Sequence, residues 1–292
     1  MRRLIALVIV VAGLGTALAA APGEDRHFLW RVDAAGAPPT YLLGSLHVLT
    51  AGHYPLAAPI EDAFARSTVL IEEVDLAELD DPAQALLLAS RALLPADRTL
   101  QASVSGATWA KVVRHVEATG LPLAAVQRMK PWMAALALTS PALAAAGYDQ
   151  SNGVDRYFFD KATGAGMTRR ALETVAYQVD RMDGLPPAVQ DALLASAMDD
   201  IDTQVKNVDR MATAWTHGDT GALESLLLDS VDETPEVYQR LLVERNRNWV
   251  EPVARCLRER TACFVVVGAA HLVGPDSVVR LLRDRGYRVT QQ

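Results

Sequence analysis

The chain has 292 residues, of which 50 % are hydrophobic and 22 % charged, a balance that excludes a disordered chain, a collagen and a coiled coil. Lys and Arg number 28 against 35 Asp and Glu, a formal net charge of −7. No basic run tracks a phosphate backbone, which argues against a nucleic-acid partner, and two cysteines build neither a disulfide scaffold nor a thiolate zinc site.

Arg2 and Arg3 precede an uncharged run from Leu4 to Ala21 that ends Ala17-Leu18-Ala19-Ala20-Ala21. A basic start, a short apolar stretch and an A-x-A end predict a secretory signal peptide over residues 1–21, cut after Ala19 or Ala21, and hence a periplasmic or secreted protein. An uncleaved anchor helix is the other reading of this run, and no later run is long and apolar enough to span a membrane. No Cys stands near the cut, which argues against a lipoprotein. Cys256 and Cys263 either pair in an oxidising compartment or remain two buried thiols, and their spacing leaves both readings open.

Residues 22–292 contain no Ser/Gly linker and read as a single domain. Phe28–Val32 and Thr40–Leu46 flank the turn Gly36-Ala37-Pro38-Pro39 and predict a β-hairpin. Pro59–Arg66 predicts a short helix, and Ser67–Val74 an apolar strand that turns acidic. From Asp80 to Gly147 the pattern is helical, punctuated by Pro82, Pro95, Gly106, Pro122 and Pro131. Gly153–Lys161 continues as helix and Met167–Glu173 reads as a strand. Residues 174–230 return to helices, broken at Gly184–Pro187 and His217–Asp219. A long helix over Pro235–Glu259 follows, with a kink or restart expected at Pro252. Phe264–Val267, Asp276–Arg285 and Tyr287–Thr290 close the chain as strand, helix, strand. The expectation is an α/β domain whose mixed β-sheet is built from both ends of the chain, flanked by helices, with a large helical insertion.

Two of the six histidines stand three residues after a glycine, in Gly44-Ser45-Leu46-His47 and Gly268-Ala269-Ala270-His271. Each motif closes an apolar strand and precedes a turn, a helix and another strand. Strand–helix–strand units place their strands parallel, and ligands bind beyond the carboxyl ends of such strands. If the two units pack side by side, His47 and His271 meet there. His53 lies in a loop able to fold back over that point. Glu72 and Glu73 end a strand and point to opposite faces, so one of them faces His47; Glu173 closes another short strand. A carboxylate beside two imidazoles is a ligand set for Zn²⁺, Mn²⁺, Co²⁺ or Fe²⁺, and a second carboxylate can then act as base. Arg245 falls on the apolar stripe Tyr238, Leu241, Leu242, Trp249, Val253, Cys256. A buried arginine there needs an anionic partner, Glu73, Glu173 or a substrate group; a snorkelling side chain is the alternative.

These residues resemble the TraB/PrgY/GumN family, which includes the Tiki proteins. The resemblance rests on Tyr41–His47, Leu70–Leu76, Gly153–Tyr157, Leu172–Gln178, Arg245–Trp249 and Val267–Leu272, in that order. Paired G-x-x-H motifs with an acid and an arginine mark the family, and by position the match selects Glu73 over Glu72. Ala176 and Tyr177 stand where the family commonly has acids. The resemblance implies a fold like that of the erythromycin-esterase-type hydrolases (EreA/ChaN-like). It implies a periplasmic metal-dependent hydrolase, a peptidase above all, because animal Tiki members are metal-dependent proteases. His47, His271 and Glu73 would then hold a divalent ion (Mn, Co or Zn). Glu73, Arg245 and Glu173 would be catalytic, and His53, Tyr157 and Asn246 would bind a peptide or small-molecule substrate. A metal-free hydrolase using His47 or His271 with Glu73, and a non-catalytic protein that captures a peptide or glycan in the same cleft, are the rival readings.

Overall fold

Six strands form one mixed sheet in the computed structural model, which describes residues 26–199, 201–228 and 235–292. The expected signal peptide lies outside the described residues. The strands are β1 (Leu29–Asp33), β2 (Thr40–Ser45), β3 (Val69–Glu72), β4 (Thr168–Ala171), β5 (Cys263–Gly268) and β6 (Arg288–Gln291). Their order across the sheet is β4-β3-β5-β2-β1-β6. β4, β3, β5 and β2 run parallel to one another, and β1 is antiparallel to both β2 and β6. Every residue of β2, β3 and β5 is buried, as near-continuous apolar strands covered on both faces require.

The expected hairpin forms, with Leu29 opposite Leu43 and Val32 opposite Thr40. The two strand–helix–strand units do not pack side by side, however. β5 inserts between β2 and β3, and β6 crosses beyond both to pair with β1. The units therefore interleave. Ser45 pairs with Gly268, and Glu72 pairs with both Val266 and Ala171. This register aligns the carboxyl ends of four parallel strands along one edge of the sheet.

Two cores stabilise the molecule. Leu42, Leu43, Leu70 and Phe264 belong to the one that surrounds the sheet. Leu100, Val112, Leu138 and Leu194 belong to a smaller one among helices that leave the sheet after β3 and after β4. The long C-terminal helix runs as Pro235–Tyr238, a π turn over Gln239–Val243, and Glu244–Arg258. Pro252 lies inside the last segment without ending it. The irregularity comes earlier, at the π turn, while the buried face Trp249, Val253, Cys256 continues past the residue that lacks an N–H.

Cys256 and Cys263 form a disulfide with Cα atoms 6.1 Å apart, tying this helix to β5. Of the two readings left open by the spacing, the paired one holds. Closing so short a loop stabilises the fold by about 2–3 kcal/mol in the chain-entropy account. Cys256→Ala with Cys263→Ala is expected to lower the urea unfolding free energy by about that amount; an unchanged midpoint would contradict it.

Candidate active site at the strand ends

The segment after β2 is held from below. The Val154 N–H donates to the Leu46 carbonyl at 3.0 Å. A methyl group on Gly153 would meet the His47 carbonyl oxygen at 2.5 Å, so only glycine lets the helix Val154–Gly164 begin there. One residue on, Asp155 accepts from His47 Nδ1 at 2.8 Å and from Ser45 Oγ at 2.6 Å. The His47 side chain is 65 % exposed, and its Nε2 faces Gly268. The Asp155 charge pushes the His47 imidazole up to about 9.

Gly268 is where the two G-x-x-H segments meet. A Cβ there would lie 3.2 Å from Glu73 Oε1, 3.4 Å from His47 Nε2 and 3.5 Å from His271 Cδ2. The two imidazoles and one carboxylate thus converge on a single glycine, whose own N–H donates to Glu73 Oε1 at 2.7 Å.

Behind this point lies a buried ionic cluster. Arg245 reaches it from the first turn after the π turn. Its Nη2 donates to Glu73 Oε2 at 2.6 Å and meets Glu173 Oε2 at 3.0 Å. Its Nε donates to Glu173 Oε2 at 3.0 Å, and its Nη1 to the Leu241 carbonyl at 3.0 Å and to His271 Nε2 at 3.1 Å. A guanidinium has five N–H bonds, and four of them donate to partners inside the protein. Arg245 therefore organises the site, tying both carboxylates and His271 together. Its charge also lies over the Trp249 ring at 4.6 Å, and Trp249 Nε1 donates to Glu173 Oε1 at 2.9 Å.

The hydrogen bonds fix the state of His271. Its Nδ1 donates to Asn246 Oδ1 at 2.5 Å, which leaves Nε2 as the acceptor for Arg245. Burial lowers the imidazole to about 3, and the Arg245 cation reinforces this. Burial acts to raise the Glu73 carboxyl, but His271, Arg245, His47 and the Gly268 N–H outweigh it and hold Glu73 at about 2. With His271 neutral, Arg245 is the permanent cation facing Glu73. Glu72 points to the opposite face, where burial raises its carboxyl to about 9 and Oε1 has no hydrogen-bond partner.

These shifts set an acid limit to stability. Below about pH 6.5 the unfolded chain protonates its histidine while native His271 does not, and below about 4.5 the unfolded chain protonates its glutamate while native Glu73 stays ionised. Both make stability fall with falling pH, whereas Glu72, protonated in the native state and ionised in the unfolded chain between about 4.5 and 9, makes it rise. Urea midpoints of wild type are therefore expected to hold from pH 7 to about 4.5 and to fall below it, while in Glu72→Gln the decline should begin near pH 6.5; a wild-type midpoint that already falls from pH 6.5 would contradict this.

Of the other expected site residues, His53 and Tyr157 bond outside this cluster and Asn246 lies within it. His53 Nδ1 pairs with Thr50 Oγ1 at 2.8 Å within its own loop. Tyr157 donates to Glu61 Oε1 at 2.5 Å and stacks on Tyr54. Asn246 is buried, held between His271 and the Asp276 carbonyl. Two residues not singled out from the sequence join the cluster: Asp155, and Gln178, whose Nε2 donates to Glu73 Oε2 at 2.9 Å. Their signal was an acid in the first turn of a helix opened by Gly153, and an amide five residues after Glu173.

Parallel strands with a charged cluster beyond their carboxyl ends define an α/β protein, and that edge is where such sheets commonly place ligands. The chain belongs to the TraB/PrgY/gumN family, whose model matches residues 28–291. No curated protein and no solved structure matches it.

Proposed function

We propose that the protein is a hydrolase, a peptidase by preference, in which His47 is the general base. The observation that carries this reading is the Asp155–His47 pair with Nε2 turned toward Gly268 and Glu73. A carboxylate on Nδ1 fixes the tautomer and leaves Nε2 to take a proton. His47 Nε2 removes a proton from a water, the hydroxide adds to the acyl carbon, and the imidazolium returns the proton to the leaving amine. The Glu73 charge across Gly268 stabilises the imidazolium in between. The buried disulfide supports a periplasmic or secreted location.

The metal-dependent form of this reading draws on the convergence of His47, His271 and Glu73 around Gly268, and on Asp155 as the outer carboxylate that metal-bound histidines commonly carry. The donor atoms do not fit an ion as they stand. Both nitrogens of His271 and both oxygens of Glu73 are engaged by Asn246, Arg245, Gln178 and Gly268, and a guanidinium occupies the place beside them. Among the described residues, no group of three His, Cys, Asp or Glu side chains is arranged to hold an ion. Thermal melts with added Mn²⁺, Co²⁺ or Zn²⁺ are therefore expected to match the melt without metal. A rise in wild type that is lost in both His47→Ala and His271→Ala would reinstate the metal-dependent form.

Turnover of fluorogenic peptides and p-nitrophenyl esters by wild type, lost in His47→Ala, tests the hydrolase. Absence of any turnover, with saturable peptide or glycan binding, moves the non-catalytic reading ahead.

A further inference from the structure

Glu73 and Glu173 share one guanidinium, so the buried cluster carries one more negative than positive charge. The excess is met by a neutral group. Gln178 Nε2 lies 2.9 Å from Glu73 Oε2 and 3.4 Å from Glu173 Oε2. Both neighbours are acceptors, which fixes the amide with its nitrogen inward. A third carboxylate at this position would repel both acids. A lysine would draw Glu73 away from the Gly268 N–H and cancel the charge that faces His47. An amide satisfies two acceptors and leaves that charge intact.

Gln178 stands on the helix Val175–Asp183, whose N-terminus is capped by Thr174. Side chains from outside the sheet fix this helix. Arg91 pairs with Asp180, Lys130 Nζ donates to Asp183 Oδ1 at 2.7 Å, and Arg240 Nε donates to the Arg181 carbonyl at 2.8 Å. Two of these partners belong to helical segments inserted between β3 and β4.

We infer that Gln178 is a positioning residue: its amide locks the Glu73 carboxylate in the orientation that faces His47, so the helical insertion as well as the sheet sets the geometry of the site. The inference rests on the reading of His47 and Glu73 as the working pair.

The test uses the full mature chain with Gln178→Met, which removes the donors at similar size, and Gln178→Asn, which keeps an amide one methylene short. The Gly268 backbone amide bonds the other oxygen of Glu73 and reports its position in ¹H–¹⁵N spectra. In Gln178→Met this resonance should move upfield and its hydrogen exchange should quicken about tenfold, the scale of one hydrogen bond to a charged group. On any substrate that wild type hydrolyses, kcat should fall about tenfold with KM unchanged. Gln178→Asn should shift the same resonance by less, and it decides the question if the methionine variant does not fold. An unmoved Gly268 amide overturns the inference. A wild type without hydrolysis defeats the proposed function instead, and the Gly268 resonance still decides whether Gln178 positions Glu73.

Discussion

Arg245→Ala is expected to be the most damaging single substitution in the cluster, lowering the unfolding free energy by about 3–5 kcal/mol. The guanidinium is 10 % exposed, and its carboxylate partners are 10 % exposed at Glu73 and 5 % at Glu173. Removing it leaves two buried carboxylates with no cation, and unpaired buried charge is what makes such deletions costly. The cause can be separated from lost packing. Adding Glu73→Gln and Glu173→Gln to the alanine variant removes the stranded charge and should recover a large part of the loss, a coupling that residues in direct contact show. Arg245→Lys should recover little, because one ammonium cannot reproduce a planar fork with five donors. Urea unfolding of the four proteins decides it. A loss of under about 1 kcal/mol in Arg245→Ala would place the pair among exposed, weakly coupled ion pairs and remove the organising role.

His47→Ala should have the opposite profile. Hydrolysis should fall by about 10²–10⁴-fold, the scale of a positioned acid or base, while stability falls by no more than about 2 kcal/mol, less than for Arg245→Ala, because the ring is exposed although Asp155 loses its partner. The exposure of the ring and the burial of everything behind it are the reason for this split. The pH profile carries a second signature. A base works in its neutral form, so the rate should rise with pH through an inflection displaced above 6.5 toward 9, the direction in which Asp155 moves His47. In Asp155→Asn that inflection should fall back toward the ordinary histidine range, with a lower plateau because the ring loses its orienting partner. A rate that falls as pH rises through the same region would assign His47 the acid's part and defeat the mechanism.

The same contrast between these residues explains what the sequence made legible. Arg245 sat on an apolar stripe, and a buried guanidinium demands carboxylates, so its partnership with Glu73 or Glu173 followed from charge and periodicity. The paired glycine–histidine motifs closed recognisable strands, which was enough to expect both histidines at strand ends. The interleaving of β5 between β2 and β3 was not legible, because the order of parallel strands is set by long-range packing that leaves no local mark. Asp155 was missed for a related reason. It meets His47 across 108 positions of sequence, and an acid in the first turn of a helix is ordinary on helix-dipole grounds alone. The π turn likewise lies in a stretch whose composition reads as plain helix.

The interleaved strand order has a consequence for how the molecule is made. β2 and β3 emerge from the ribosome early, but the strand that joins them is β5, beginning at Cys263. Until then both strands present open pairing edges, and nearly nine-tenths of the polypeptide waits without its central ladder. Chains dominated by such distant pairings fold slowly, and open strands invite mispairing with other chains. Truncation a few dozen residues short of the C-terminus therefore removes the keystone of the sheet together with His271, and yields an aggregating fragment in place of a smaller folded protein.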